Sequence, residues 1–441
     1  MKHRLWILLI LTQTSLAANT VPLEEAVEAA LSGNPSLQAT RHRIEASRGA
    51  ARQARAAYYP HLSAVGEYSL TDNPVQAFMM SLNQGALNIS DPALNVNAPG
   101  DTDNLRVGAL VRYSVYDGGH RSANRRRADH GSEAAAHASN AACNELVYHI
   151  TEAYLRALQA RDAITVRVTA LESMEEHLRV AEQRLEEGAA LITDVLNLKV
   201  QVAQAREEKI TSQHGLELAI SSLNTRIGTP LISADNLSEP PDHLPDLIPL
   251  DTDLSETHSE LQALRALRNV RIAEIQAARS TGRPAVHAFG LMDWNQEPFD
   301  NAEQSYMVGV AAQWQIFDGF QRRGAIDEAQ AREHELRQQI LDTENRLRHR
   351  QTQAHIQARN AKERWEAANV NERSAERALR ATRDRYKEGA ATLSDLLTAQ
   401  AGLTAIQHRK SVAYYEYRIA LAAIARAQGT LVIDHEEGKR L

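Results

Sequence analysis

The 441 residues contain one cysteine, Cys143, so no disulfide can form within the chain. Aromatic residues are scarce, at 5%, which argues against a large globular core. Alanine and charged residues dominate instead, a composition suited to long helices. Beyond the N-terminus no apolar run approaches the ~18 residues that a membrane-spanning helix needs, so a helical membrane protein is excluded. There is no His-Glu-x-x-His, no phosphate-cradling glycine loop and no cysteine cluster. The 17 histidines are scattered, and His334-Glu335 has no second histidine four residues after the first. Asp117-Gly118 and Asp318-Gly319 are explained by strand-to-helix turns, where glycine permits the reversal and aspartate accepts from helix-start amides. No enzyme, cofactor or metal site is expected. A net charge of −7 gives no reason for a nucleic-acid partner. The one basic cluster, Arg125-Arg126-Arg127, reads as a solvated helix start beside a membrane surface rather than as a phosphate site.

What is present begins with a secretory signal over residues 1–17. Lys2 and Arg4 supply positive charge, Leu5 to Leu11 a short apolar core, and Ser15-Leu16-Ala17 a small-residue cleavage site. The alternative is a buried N-terminal helix. No cysteine stands directly after the signal, where Ala18-Asn19 follow Leu16-Ala17, so an N-terminal lipid anchor is not expected.

The rest of the chain says the same thing twice. Tyr113-Ser114-Val115-Tyr116-Asp117-Gly118 returns as Trp314-Gln315-Ile316-Phe317-Asp318-Gly319, and Arg184-Leu185-Glu186-Glu187-Gly188 as Arg385-Tyr386-Lys387-Glu388-Gly389, both 201 positions on. Upstream, Leu37-Gln38-Ala39, Pro60 and Gly66 match Leu261-Gln262-Ala263, Pro284 and Gly290 at an offset of 224. One duplication with a first loop longer by 23 residues accounts for every match. The expected repeats are 18–227 and 255–428, separated by a proline-rich irregular linker at 228–254 and followed by a charged tail at 429–441.

Each repeat holds a stretch with no proline and one glycine, about 121–187 and 321–388. Apolar residues recur at heptad steps, as in Ile164, Leu171, Leu178 and Leu185, with charges between them, as in coiled-coil packing. A helix of about 67 residues extends roughly 100 Å, far beyond the ~11–12 residues of an average helix, so these two must run along a tube or bundle. Each ends at a matched glycine, Gly188 or Gly389. A return helix follows at about 193–226 or 394–428, with Thr193-Asp194 and Ser394-Asp395 where an N-cap belongs.

Alternating segments predict strands at about 60–70, 105–116, 284–294 and 305–317. Leu105, Val107, Ala109, Val111, Tyr113 and Val115 share one face, and Tyr306, Val308, Val310, Ala312, Trp314 and Ile316 share another. Their length suits tilted strands crossing an outer membrane. Tyr68 and Trp294 near one end, with Tyr113 and Trp314 near the other, fit aromatic residues at the two membrane interfaces. Two amphipathic hairpins on a soluble core would show the same alternation. In lipid, four strands cannot close a barrel, so the chain would have to oligomerise.

With its doubled aromatic/aliphatic-Asp-Gly strand end, its doubled Arg-x-x-x-Gly followed by Asp-Val-Leu or Asp-Leu-Leu, and its repeated order of helix, hairpin, long helix and return helix, the chain resembles the TolC-like outer-membrane efflux proteins. The resemblance implies an α+β membrane protein: a homotrimer with a 12-stranded β-barrel continued by a periplasmic α-helical barrel. It implies an outer-membrane exit duct for a tripartite efflux pump, working with a periplasmic adaptor and an inner-membrane transporter. A type I protein secretion channel and, in another class, a soluble periplasmic coiled-coil scaffold are the rivals.

By matching motif positions, the resemblance places adaptor-docking tips at Gly188-Ala189-Ala190-Leu191 and Gly389-Ala390-Ala391-Thr392. It places an aperture at Asp194, Asp395 and Tyr386. Two readings of the aspartates stand together: carboxylates ringing a narrow opening, and helix-start residues favoured by the helix dipole. The chain departs from the family pattern at Asn197, Thr398, Leu185 and Ala391, which puts a salt-bridged latch in doubt. The loop at about 71–104 would lie outside the cell, with Phe78-Met79-Met80 either exposed or folded back.

Overall fold

The computed structural model describes residues 20–90, 95–240, 244–250, 258–296 and 302–431. The expected signal at 1–17 and the tail from 432 onward lie outside the described residues. So do 241–243 and 251–254 of the linker, with 255–257 after it.

Eight helices and four strands occur among the described residues, in the order α1 (Leu23–Gly33), α2 (Pro35–Ala56), β1 (His61–Thr71), α3 (Pro74–Asn83), β2 (Thr102–Tyr116), α4 (His120–Glu186), α5 (Ile192–Ile227), α6 (Ser259–Ser280), β3 (Ala285–Gln296), β4 (Glu303–Gln313), α7 (Gln321–Lys387) and α8 (Leu393–Gln428). They form two units. One lies within Met1–His42, His137–Gln262 and Asp342–Leu441, the other within Arg43–Ala136 and Ala263–Leu341.

The second unit carries the sheet, an antiparallel array in the order β1-β2-β3-β4 with β1 and β4 at its edges. Its register decides which side chains share a face. Leu62, Val111, Gly290 and Val308 form one row, and Ala64, Ala109, Met292 and Tyr306 another. The apolar sets of all four strands therefore fall on one face. Much of that face is exposed, including Leu62, Tyr68, Val107, Val111, Met292, Tyr306, Val308 and Val310. On the opposite face Arg106 makes a two-pronged contact with Asp293, both bonds 2.9 Å, and Glu67 lies 3.7 Å away. Gly108 leaves room for this pair: a Cβ there would sit 2.4 Å from the Asp293 carboxylate.

Two strand details differ from the sequence reading. β4 stops at Gln313 rather than running to 317. Its partner Ala285 is the first residue of β3, and Pro284 before it has no N–H to extend the ladder. Trp314 thus lies just past the strand, its indole donating to the Gly282 carbonyl at 3.1 Å. β2 reaches Tyr116 only through a bulge between Ser114 and Tyr116. The loop after β1 also contains a helix. Asn73 caps α3 by accepting from the Val75 and Gln76 amides, and Pro74 takes the first position, where its missing N–H costs nothing. Phe78 and Met79 stay exposed on α3.

The first unit is packed along heptad-like seams. In α5 the buried positions are Val195, Leu198, Val202, Leu216, Leu223 and Ile227, the three-and-four spacing of one helix face. The unanticipated helix α1 joins the largest core, where Ala26 and Ala30 meet Ile150, Tyr154, Leu158, Leu223 and Ile419. The linker is irregular but pinned. The Tyr417 hydroxyl donates to the Pro245 carbonyl and the Gln428 amide to that of Pro249, both at 2.7 Å.

Candidate functional site at the two helical hairpins

Both hairpins lie in the first unit, and each long helix closes in the same way. Gly188 and Gly389 take φ of +72° and +78°, a region open to glycine. The next amide turns back, Ala189 to the Arg184 carbonyl at 2.7 Å and Ala390 to that of Arg385 at 2.8 Å. The arginine itself braces the turn, Arg184 donating to the Ala189 carbonyl at 3.2 Å and Arg385 to that of Ala390 at 3.1 Å.

The return helices start differently. The N-caps are Leu191 and Thr392, two residues before the Thr193 and Ser394 positions suggested by the sequence. Hydroxyl preference could not choose between Thr392 and Ser394, and at α5 it pointed away from Leu191; the chain bends immediately after the glycine turn. At α8 a complete capping box forms. The Asp395 amide donates to the Thr392 hydroxyl at 3.2 Å, and the Thr392 amide and hydroxyl donate to the Asp395 carboxylate at 3.0 and 2.8 Å. The Thr392 amide and hydroxyl hold the Asp395 carboxyl below its ordinary range. Leu191 has no side-chain oxygen, so Asp194, the matching residue of α5, has no such partner at its cap.

The hairpins meet over a shared apolar cluster: Ala181, Val195, Leu198, Leu379, Tyr386, Leu393, Leu396 and Leu403. Tyr386 is 4% exposed. The Arg184 guanidinium lies 5.0 Å over its ring and donates to its carbonyl. Burial pushes the Tyr386 phenol above its ordinary value. Arg184 was visible in the doubled Arg-x-x-x-Gly, but the motif gives no sign that one of its two arginines reaches across to the other hairpin. A groove of about 800 Å³ opens between the hairpins, lined by Arg184, Ala189, Leu191, Asp194, Tyr386 and Thr392 among others. Asp395 is absent from its lining, being held by its own helix start.

The model of the outer membrane efflux protein family matches residues 26–229 and 252–430. The chain belongs to that family. This outer membrane efflux protein is 25% identical to protein CyaE of Bordetella pertussis over 423 residues, 93% of this chain and 84% of that one. It is 27% identical to the alkaline protease secretion protein AprF of Pseudomonas aeruginosa over 303 residues, 65% of this chain and 62% of AprF, so it spans under two thirds of that relative. In fold it matches the Campylobacter jejuni CmeC outer membrane channel with a TM-score of 0.82 at 15% identity, covering 92% of this chain and 85% of CmeC. The helix-rich architecture is that of TolC-like outer-membrane channels, and the protein is placed in the outer membrane.

Proposed function

We propose that this outer-membrane protein is the exit duct of a tripartite efflux pump, closed into a 12-stranded barrel by three copies of the chain. The observation that carries the reading is the sheet: four strands with one continuous apolar face and two edges unpaired among the described residues. Such edges are not tolerated in lipid, and twelve strands leave room for an aqueous lumen where eight would fill with side chains. The hairpin tips at Gly188–Leu191 and Gly389–Thr392 serve as docking points for a periplasmic adaptor, which links the duct to an inner-membrane transporter. Asp194, lining the inter-hairpin groove, is the stronger aperture carboxylate; Asp395 acts first as a cap.

A type I secretion channel is the second reading, favoured by the likeness to a protein named for alkaline protease secretion. Both readings share the pore and differ in cargo.

Planar-bilayer recording tests the pore. Discrete conductance steps with cation preference are expected. Asp194→Ala should reduce cation preference and block by multivalent cations more than Asp395→Ala does. Silence in the bilayer would refute the duct.

A further inference from the structure

Asp117 and Asp318 accept from the amides at the starts of the two long helices, but the turns that follow are basic. A helix N-terminus favours acidic residues in its first turn, and neither α4 nor α7 has one there. Instead α4 opens with Arg121, Arg125, Arg126 and Arg127, and α7 with Arg322 and Arg323. In the same unit Arg52 and Arg55 lie near the end of α2 and Arg279 in the last turn of α6. β1 and β3 start, and β2 and β4 finish, at this one end of the sheet. Along helices that rise 1.5 Å per residue, the arginines lie within roughly 15 Å of the strand ends, the zone where headgroups meet water.

Carboxylates neutralise only part of this charge. Asp117 pairs with Arg121 at 3.2 Å, and Asp129 with Arg55 at 2.8 Å and Arg125 at 3.9 Å. Arg121 also donates to the Val115 carbonyl and lies under the Tyr58 ring, so it braces the turn. Arg52, Arg127, Arg279 and Arg323 are exposed, and no acidic side chain among the described residues pairs with them. Tyr59, Trp314, Phe317 and Phe320 are exposed at the same end. Phe320 holds φ of +70°, which a bulky residue seldom adopts. Its ring meets that of Phe317 edge-on at 5.7 Å, and both rings are at least 70% exposed. No described residue buries that pair.

We propose that this end of the strand unit is a collar for anionic phospholipid headgroups. Arg52, Arg127, Arg279 and Arg323 take the headgroup phosphates, and the exposed aromatic rings sit at the acyl boundary. The proposal rests on the outer-membrane placement and names the lipid class that this surface selects. The four exposed cations come from four elements, α2, α4, α6 and α7, which end or begin at this one end of the sheet. That arrangement suits a layer of headgroups better than one small ion.

The test is lipid retention by the intact protein in neutral detergent, offered phosphatidylglycerol and phosphatidylcholine and read by native mass spectrometry. Wild type is expected to retain phosphatidylglycerol preferentially. Each Arg→Gln change among Arg127, Arg279 and Arg323 should weaken that preference by about fivefold. Arg359→Gln, exposed farther along α7, should leave it intact. Equal retention of both lipids by wild type, or an undiminished preference in the triple variant, would overturn the collar. So would displacement of the lipid by inorganic phosphate, which would mark a free-anion site. A protein that conducts ions yet shows no lipid preference loses the collar and keeps the duct.

Discussion

Thr392 and Leu191 occupy the same place in two hairpins, and only Thr392 has a hydroxyl to cap its helix. Thr392→Ala should cost about 1 kcal/mol of local stability, read as faster amide exchange over the first turn of α8. Leu191→Thr should install beside Asp194 the box that Thr392 makes with Asp395, slowing exchange at the start of α5. If Leu191→Thr also leaves adaptor binding unchanged, the apolar tip has no docking role. The carboxyl of Asp395 is held below its ordinary value of 3.8. Its contribution is therefore complete above that value and disappears as pH falls through and below it. Protection of the α8 start should fall with acid in wild type, and Asp395→Asn should remove that dependence. At this scale the sequence was partly legible. Asp194, Asp395 and the glycines stood out because they recur. The register of the caps did not: Ser394 looks as suitable as Thr392, and Thr193 looks better than Leu191, which the bent backbone selects without a side-chain oxygen.

Among the elements, α4, α7 and α8 meet at a buried polar point that no motif announced. His177 is 2% exposed, with Glu176 beside it on α4, Arg383 and Lys387 facing from α7, and Gln400 from α8. Burial, reinforced by Arg383, pushes the imidazole down to about 4. The folded state thus prefers neutral His177, while the unfolded chain takes up a proton below its ordinary 6.5. Stability from this residue is complete above pH 6.5 and falls as pH drops toward 4, by a total on the order of 3 kcal/mol. Thermal unfolding should occur at lower temperature at pH 4.5 than at pH 7.5, and His177→Leu should flatten that difference. A pH-independent midpoint in wild type would contradict this assignment. The helical character of the long proline-free stretches was legible, since nothing in them breaks a helix. The short α1 and α3 were not: ten or eleven residues carry too little periodicity, and Asn73-Pro74 reads equally well as a turn. The end of β4 was also hidden, because the Trp314 to Phe317 pattern continues while its partner strand does not.

For the whole molecule, the doubled motifs made the family legible before any geometry, since a duplication constrains two halves to one architecture. Cargo was not legible, because a duct need not recognise what its transporter delivers. The headgroup collar escaped the sequence reading for a different reason. Arg125-Arg126-Arg127 of α4 and Arg322-Arg323 of α7 are adjacent in the chain, but only the strand register brings the two groups together with Arg52 and Arg279. The central claim is that one chain supplies four strands of a larger closed cylinder in the outer membrane. The most direct measurement is the protein mass of the particle extracted from outer membranes, by light scattering corrected for bound detergent. Three copies of the chain are predicted, and a single copy recovered in buffer without detergent would contradict the account.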